Sequence, residues 1–343
     1  MFDYKPNYAY GMFKIISGIR IVVIFRMFYF VGMFALLFVA NTMAAMSSND
    51  TASDTRLVES YCTSQYDVCL EQIELQLQQL QTPQLKDRTL LRKAILMIIF
   101  GRYQQAESLL DVLTQSPHLQ PQELTEAMVH RAKNMFLIGD KQLGEALAAQ
   151  AQVRFEQMNP EDLGWGLLVE YGNLLLIQEK FRESWLVLSG LLERPTDNIP
   201  STVLADLYAN LGHLAYILNR NQLMVEYFRK SFQYTLKQGN EQQNGVSAHN
   251  LARAYMVNMD FRRAQHLYLK AIESALKVGD ASSVVYNRYH MIKMNIAMGY
   301  FRIALQLHQQ LVNSDYSVNE TVTDEKLAEL KAIIYNGLYR DYY

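Results

Sequence analysis

The feature that most constrains this chain is a repeat of 40 residues. Phe181-Arg182-Glu183-Ser184 returns as Phe261-Arg262-Arg263-Ala264 and again as Phe301-Arg302-Ile303-Ala304. Leu236-Lys237-Gln238-Gly239-Asn240 returns as Leu276-Lys277-Val278-Gly279-Asp280. Tyr171-Gly172, Leu211-Gly212, Leu251-Ala252 and Met291-Ile292 keep the same register, as do Leu188, Phe228, Tyr268 and His308. An earlier unit, Gly101-Arg102-Tyr103-Gln104-Gln105-Ala106, has the same shape. A period of this length marks stacked supersecondary units, each too small to bury its apolar faces alone. With 16 Gly and 7 Pro in 343 residues, the chain has too few turn breakers for a sandwich or barrel. The class is therefore all-α.

Each unit reads as two helices. In the unit beginning near 245, Ala248, Leu251, Ala252 and Tyr255 recur at spacings of three and four, one face of a first helix. Phe261, Ala264, Tyr268 and Ala271-Ile272 mark a second, and Gly279-Asp280 closes it. Gly172, Gly212 and Ala252 on first helices, with Ala264 and Ala304 on second helices, let paired helices approach closely. The Phe that opens each second helix is expected to be buried between neighbouring units.

Small Ala252, aromatic Phe261, Ala264 and aromatic Tyr268 stand in the order of the tetratricopeptide repeat, and the chain resembles that superfamily over residues 87–316. The family's usual unit is about 34 residues; a period of 40 implies longer helices or loops. The resemblance is good over 165–316, fair over 87–120 and weak over 125–160, where Lys141 and Gly144 replace the aromatic and the Ala. Asn221 and Met224 also depart from it. It implies a right-handed superhelical α-solenoid of about six repeats. Residues 46–86 are expected to hold a polar flexible segment and an N-terminal capping helix, and residues 317–343 a C-terminal one, since solenoid ends need such covers.

The first 45 residues read as an address. Lys5, Lys14, Arg20 and Arg26 stand against Asp3 alone, an uncharged apolar run fills 27–40, and small residues follow at Ala44 and Ala45. This is the pattern of a signal peptide, with an uncleaved N-terminal anchor as the alternative. Either reading exports the body of the protein, most simply to a periplasm. Without residues 1–44 the chain has 28 basic and 33 acidic residues, mildly acidic at −5. No net positive field invites nucleic acid. Cys62 and Cys69 are the two cysteines, and outside the membrane they are expected to pair. One continuous helix would separate them by about 10.5 Å, so the pairing requires the chain to turn between them.

Chemistry is mostly missing. There is no phosphate loop, HExxH, GxSxG or CxxC, and the seven histidines never pair at metal-ligand spacing on one helical turn. The expectation is a non-enzymatic protein without cofactor or metal. Arg182, Arg262 and Arg302 recur with the second helix and read as a solvated face. One column invites a functional reading: Lys133, Asn173, His213, Arg253 and Lys293, each 40 residues apart on first helices. In tetratricopeptide arrays this helix lines the concave groove, and the resemblance implies the same for this column. Val169, Ala209, His249 and Tyr289 stand one turn earlier; Phe136, Leu176, Tyr216, Met256 and Ile296 stand just beyond. The family's pattern for clamping two carboxylates has no complete match. The leading expectation is an exported scaffold that holds a protein or peptide segment, possibly acidic, in that groove. The alternative is a sensory, ligand-binding module of an envelope signalling system acting on a membrane-bound enzyme.

Overall fold

A chain that reverses direction every 20 residues or so must stop each helix at a fixed place, and a left-handed residue does so here. The computed structural model describes residues 66–159, 163–194, 199–314 and 322–340, all within the unit Thr55–Tyr343. Fourteen α-helices and no strand lie among them. A first helix, α1 (Tyr66–Gln79), precedes six pairs: α2 (Pro83–Ile99) with α3 (Tyr103–Leu113), α4 (Pro121–Ile138) with α5 (Lys141–Gln157), and α6 (Trp165–Ile177) with α7 (Phe181–Leu191). Then come α8 (Ser201–Ile217) with α9 (Asn221–Leu236), α10 (Glu241–Val257) with α11 (Phe261–Lys277), and α12 (Ala281–Ala297) with α13 (Phe301–Val312). Helix α14 (Asp324–Arg340) follows. The first pair starts at Pro83, four residues ahead of the boundary expected at 87. The expected signal segment and Cys62 lie outside the described residues, and with Cys62 the proposed bridge; Cys69 is buried on α1. Among the described residues no helix is long and apolar enough to cross a membrane.

Between the two helices of every pair, one residue has positive φ: Gly101, Gly139, Glu179, Asn219, Met259 and Gly299. The last five are spaced by 40. In each case the next backbone N–H reaches back to the carbonyl five residues earlier, as Lys180 N does to Leu175 O at 2.9 Å and Asp260 N to Tyr255 O at 2.9 Å. This is the Schellman closure, which satisfies carbonyls a helix end leaves unpaired. Between pairs, Gly239 and Gly279 also have positive φ, and after Gly279 the N–H of Asp280 closes on Ala275 O at 2.9 Å. The residue after each, Asn240 or Asp280, accepts from Gln243 N or Ser283 N and so caps the next helix.

The pairs close on the column of small residues. A Cβ added at Gly172 would lie 2.4 Å from the Leu188 side chain, and one at Gly212 would lie 2.7 Å from the Phe228 ring. Second-helix side chains thus press into the backbone of first helices. Ser184, in the place of Ala264 and Ala304, donates to Gly172 O at 2.6 Å and is fully buried. In the weakly matching pair, Gly144 takes the Ala place and makes room for Phe136. Phe181, Phe261 and Phe301, expected to be buried, are half-buried at the edge of the core. They sit at the first position of the second helix, at the end of its pair; Gly337 of α14 makes room for Phe301.

Two layers result. Each first helix packs against its own second helix, and successive first helices touch one another: α2 with α4, α4 with α6, α6 with α8, α8 with α10, and α12 with α14. Second helices of successive pairs make no comparable contact. The first-layer approach weakens from α4 to α12: backbones of α8 and α10 come less close than those of α4, α6 and α8, and α10 meets α12 mainly through side chains.

An L-residue in the left-handed region costs about 1–2 kcal/mol, partly offset by what glycine loses in chain entropy. Met259 adopts φ 59° and is 77% exposed, so no packing compensates. Met259→Gly is expected to stabilise the chain by about 0.5–1 kcal/mol in chemical denaturation, and Asn219→Gly by less. A loss of stability in Met259→Gly would contradict the turn geometry.

Candidate functional site

The polar column on the first helices pairs across units, in an order that the period does not reveal. Lys133 on α4 forms an ion pair with Glu170 on α6. Asn173 on α6 donates through Nδ2 to Asn210 Oδ1 on α8 at 2.8 Å. Both partners are 37 residues apart, so each side chain faces the residue three positions before its own equivalent in the next unit. These partners form a second column, His130, Glu170, Asn210, Asn250 and His290, which the first-column reading left out. By the same count His213 corresponds to Asn250 and Arg253 to His290, and the Arg253 charge acts on the His290 ring. The first two rungs join donor to acceptor. At the Arg253 rung a guanidinium meets an imidazole, and no carboxylate is there.

That rung lies where α10 and α12 part. The space is filled by rings: His249 to Tyr286 at 4.8 Å, His249 to His290 at 5.0 Å, His249 to Tyr268 at 5.7 Å and Tyr286 to His290 at 4.7 Å. Beside them opens a cavity of about 250 Å³ between α10, α11 and α12. Arg253, His249, Asn250, Tyr286 and Asn287 line it, with Ala271, Ala275 and Val278 as an apolar wall and Asp280 and Ser283 at the start of α12. Arg253 lies over the Tyr216 ring at 5.5 Å, and Lys293 lies over Tyr289 at 5.6 Å. Neither cation forms an ion pair among the described residues. Among those residues no group of three His, Cys, Asp or Glu is placed to hold a metal.

The charges feel one another. Burial, then Arg253, lowers the His213 imidazole to about 4. Burial lowers His249 to about 4 against the opposing pull of its Asn287 hydrogen bond, with Arg253 adding to the lowering. Burial, His249, Arg253 and Lys293 together push His290 to about 2. Burial and then Arg253 also lower Lys293. At the other end of the column, burial would raise the Glu170 carboxyl, but Lys133 and His130 beside it bring it down to about 2.

Of the expected site residues, the structure brings Arg253 and His249 together in the cavity; Tyr216 lies under Arg253, and Tyr289 pairs with Lys293 on α12. Met256 lies under Tyr268, whose hydroxyl reaches its Sδ at 3.7 Å. His213 packs edge-on to Phe228 at 5.0 Å. Lys133 and Asn173 are not open donors; Glu170 and Asn210 occupy them. His249 and Ile296 are buried rather than displayed. His290, Tyr286 and Asn287 belong to the site and were missed. A search for a polar residue in every unit, one position after His249, would have found the column that holds His290.

No family model and no curated protein matches the chain. Solved structures match it by shape. A signal transduction ATPase with a tetratricopeptide repeat sensor from Pyrococcus horikoshii superposes with a TM-score of 0.55 at 13% identity, covering 80% of this chain and 41% of that one. The fold is that of tetratricopeptide-repeat solenoids. A Rap protein solved with the competence and sporulation factor gives 0.57 at 10% identity, over 82% of this chain and 76% of its own. The Cut9–Hcn1 assembly of the APC/C gives 0.55 at 15%, over 83% and 48%. The solenoid thus spans less than half of two of these three chains.

Acid should weaken this solenoid. His130, held at about 4 by burial, joins His213, His249 and His290 in staying neutral when folded, whereas each titrates near 6.5 when unfolded. Below pH 6.5 the unfolded chain binds more protons, so stability falls as pH drops from about 6.5 toward 4. The Glu170 contribution runs in the same direction at lower pH: it is present above 4.5 and is lost only as pH falls toward 2. Between pH 7 and 5 the histidines dominate, and a loss of about 1–3 kcal/mol is expected in chemical denaturation. His290→Asn, which copies Asn210 and Asn250, should flatten that slope. A wild-type curve that is level from pH 7 to 5 would contradict the burial of these rings.

Proposed function

We propose that this chain is an exported, non-enzymatic scaffold that holds a protein or peptide segment along its layer of first helices. The observation that carries this reading is the break in the polar column. Along α4, α6 and α8 the column is closed by its own neighbours. At α10 and α12 it leaves Arg253 and Lys293 without an ion pair among the described residues, each over a half-buried tyrosine ring, with a side-chain-sized cavity beside Arg253. An arrangement of two half-buried cations and aromatic surface suits a segment with acidic side chains, which would supply the missing partners through charge-assisted hydrogen bonds. The fold offers such a surface generally, since stacked repeats present the same helix face once per unit. The Rap neighbour was solved with a bound factor and the Cut9 neighbour with Hcn1, and both are in keeping with a binding role. Export rests on the basic and apolar pattern of the first 45 residues.

Each charge-assisted bond is worth about 1.5–3 kcal/mol. Arg253→Glu with Lys293→Glu is therefore expected to weaken capture of acidic peptides from a displayed library by about a hundredfold or more. The melting temperature should move by no more than about 2–4 °C. The control is Arg262→Glu with Arg302→Glu, two exposed positions on second helices, which should leave capture unchanged. Capture that survives the first pair and fails with the second would move the site to the other layer.

A further inference from the structure

We propose that the cavity between α10 and α12 takes a carboxylate of the bound segment together with one proton, and that His249 carries the proton. The proposal rests on the acidic-segment reading above and adds its regulation. The tautomer of His249 is fixed by its neighbours. Its Nδ1 lies 2.8 Å from Asn287 Oδ1. The Asn287 amide is oriented in turn, because its Nδ2 donates to Ser283 O at 2.7 Å, one turn earlier on α12. Oδ1 therefore accepts, Nδ1 carries the hydrogen, and Nε2 keeps its lone pair.

That Nε2 is buried without a partner, on a ring only 7% exposed. A neutral His249 thus keeps an unpartnered acceptor on a ring that lines the same cavity as Arg253, whose charge calls for an anion. A carboxylate drawn to the guanidinium meets a lone pair at Nε2, and the two repel. Protonation converts Nε2 into a donor and makes both groups complementary to the same ligand.

The surroundings explain why the proton is absent until then. From α10 comes Arg253, and from α8 comes His213; the rings of Tyr268 of α11 and Tyr286 of α12 pack against it. His290 stands against His249 with its own Nδ1 unpartnered. Lys293, on the same helix as His290, adds positive charge and is itself influenced by Glu329 and Lys326 of α14. The nearest acid lining the cavity, Asp280, is engaged by the N–H of Ser283 at 3.0 Å and its hydroxyl at 2.6 Å. No carboxylate is among the groups that act on His249, so a second positive charge there is opposed by Arg253. An arriving carboxylate within about 4–6 Å favours the charged imidazole by about 1–3 pKa units. From a start at about 4, that brings His249 into the range where it is protonated at mildly acidic pH. His290, which starts at about 2, stays neutral.

The test uses the full chain and two probes, sulfate, which keeps its double charge from pH 5 to 8, and pentaglutamate. Calorimetry in buffers of different ionisation enthalpy should register about one proton taken up per anion, with affinity about fivefold or more higher at pH 5.5 than at 7.5. His249→Ala copies Ala209 in the register and should abolish the uptake, while His290→Asn keeps it. Arg253→Asn, which copies Asn173, should abolish sulfate binding at both pH values. Binding without proton uptake, or uptake unchanged in His249→Ala, overturns the proposal. If pentaglutamate binds without pH dependence, the segment reading survives and the proton coupling is wrong. If sulfate binds with a proton and no acidic peptide binds, the segment reading fails and the oxyanion site stands.

Discussion

The structure depends on one close approach: a second-helix side chain pressed against a first-helix position too small to resist it. Leu188 against Gly172 and Phe228 against Gly212 show it most plainly, because an added methyl group would have no room. Overpacking such a contact costs about 1–3 kcal/mol. The approach fixes the depth at which each pair closes. The left-handed residue at each turn fixes where it closes, and together they hold the unit to 40 residues. With pairs uniform in this way, successive first helices fall into contact and their side chains meet in register.

That register was legible in the sequence to an uneven degree. Second helices begin at Phe181, Phe261 and Phe301 as the repeated tetrads require, and His308 is buried in the column shared with Leu188, Phe228 and Tyr268. The turn residues were hidden at Glu179 and Met259, because neither residue type signals positive φ; only their 40-residue spacing from Gly139 and Gly299 gives them away. The polar pairing was hidden for a different reason. A period shows which residues are equivalent, not which are neighbours, and Lys133 meets Glu170 rather than Asn173 because the partner helix is entered one turn earlier. Two of the five residues of the expected groove row, Lys133 and Asn173, are therefore satisfied internally, and its cations without an ion pair among the described residues are on α10 and α12.

Natural chains commonly accept local inconsistency where they bind. Here the inconsistency is a cation placed where earlier units place a matched pair. Rings fill the space between α10 and α12, and the cavity beside them is lined by Arg253 and by His249, whose Nε2 has no partner. A solenoid tolerates this because each unit contacts only its neighbours, so one loosened interface leaves the others intact.

The central claim is that one register position serves structure in one unit and binding in another. Making the same substitution at both places tests it most directly, with stability read by chemical denaturation. Lys133→Asn strands the Glu170 carboxylate and is predicted to cost about 1–3 kcal/mol. Arg253→Asn removes a cation that pairs with no acid and is predicted to leave stability within about 0.5 kcal/mol of the parent, or to raise it. Equal losses at the two positions would contradict the account.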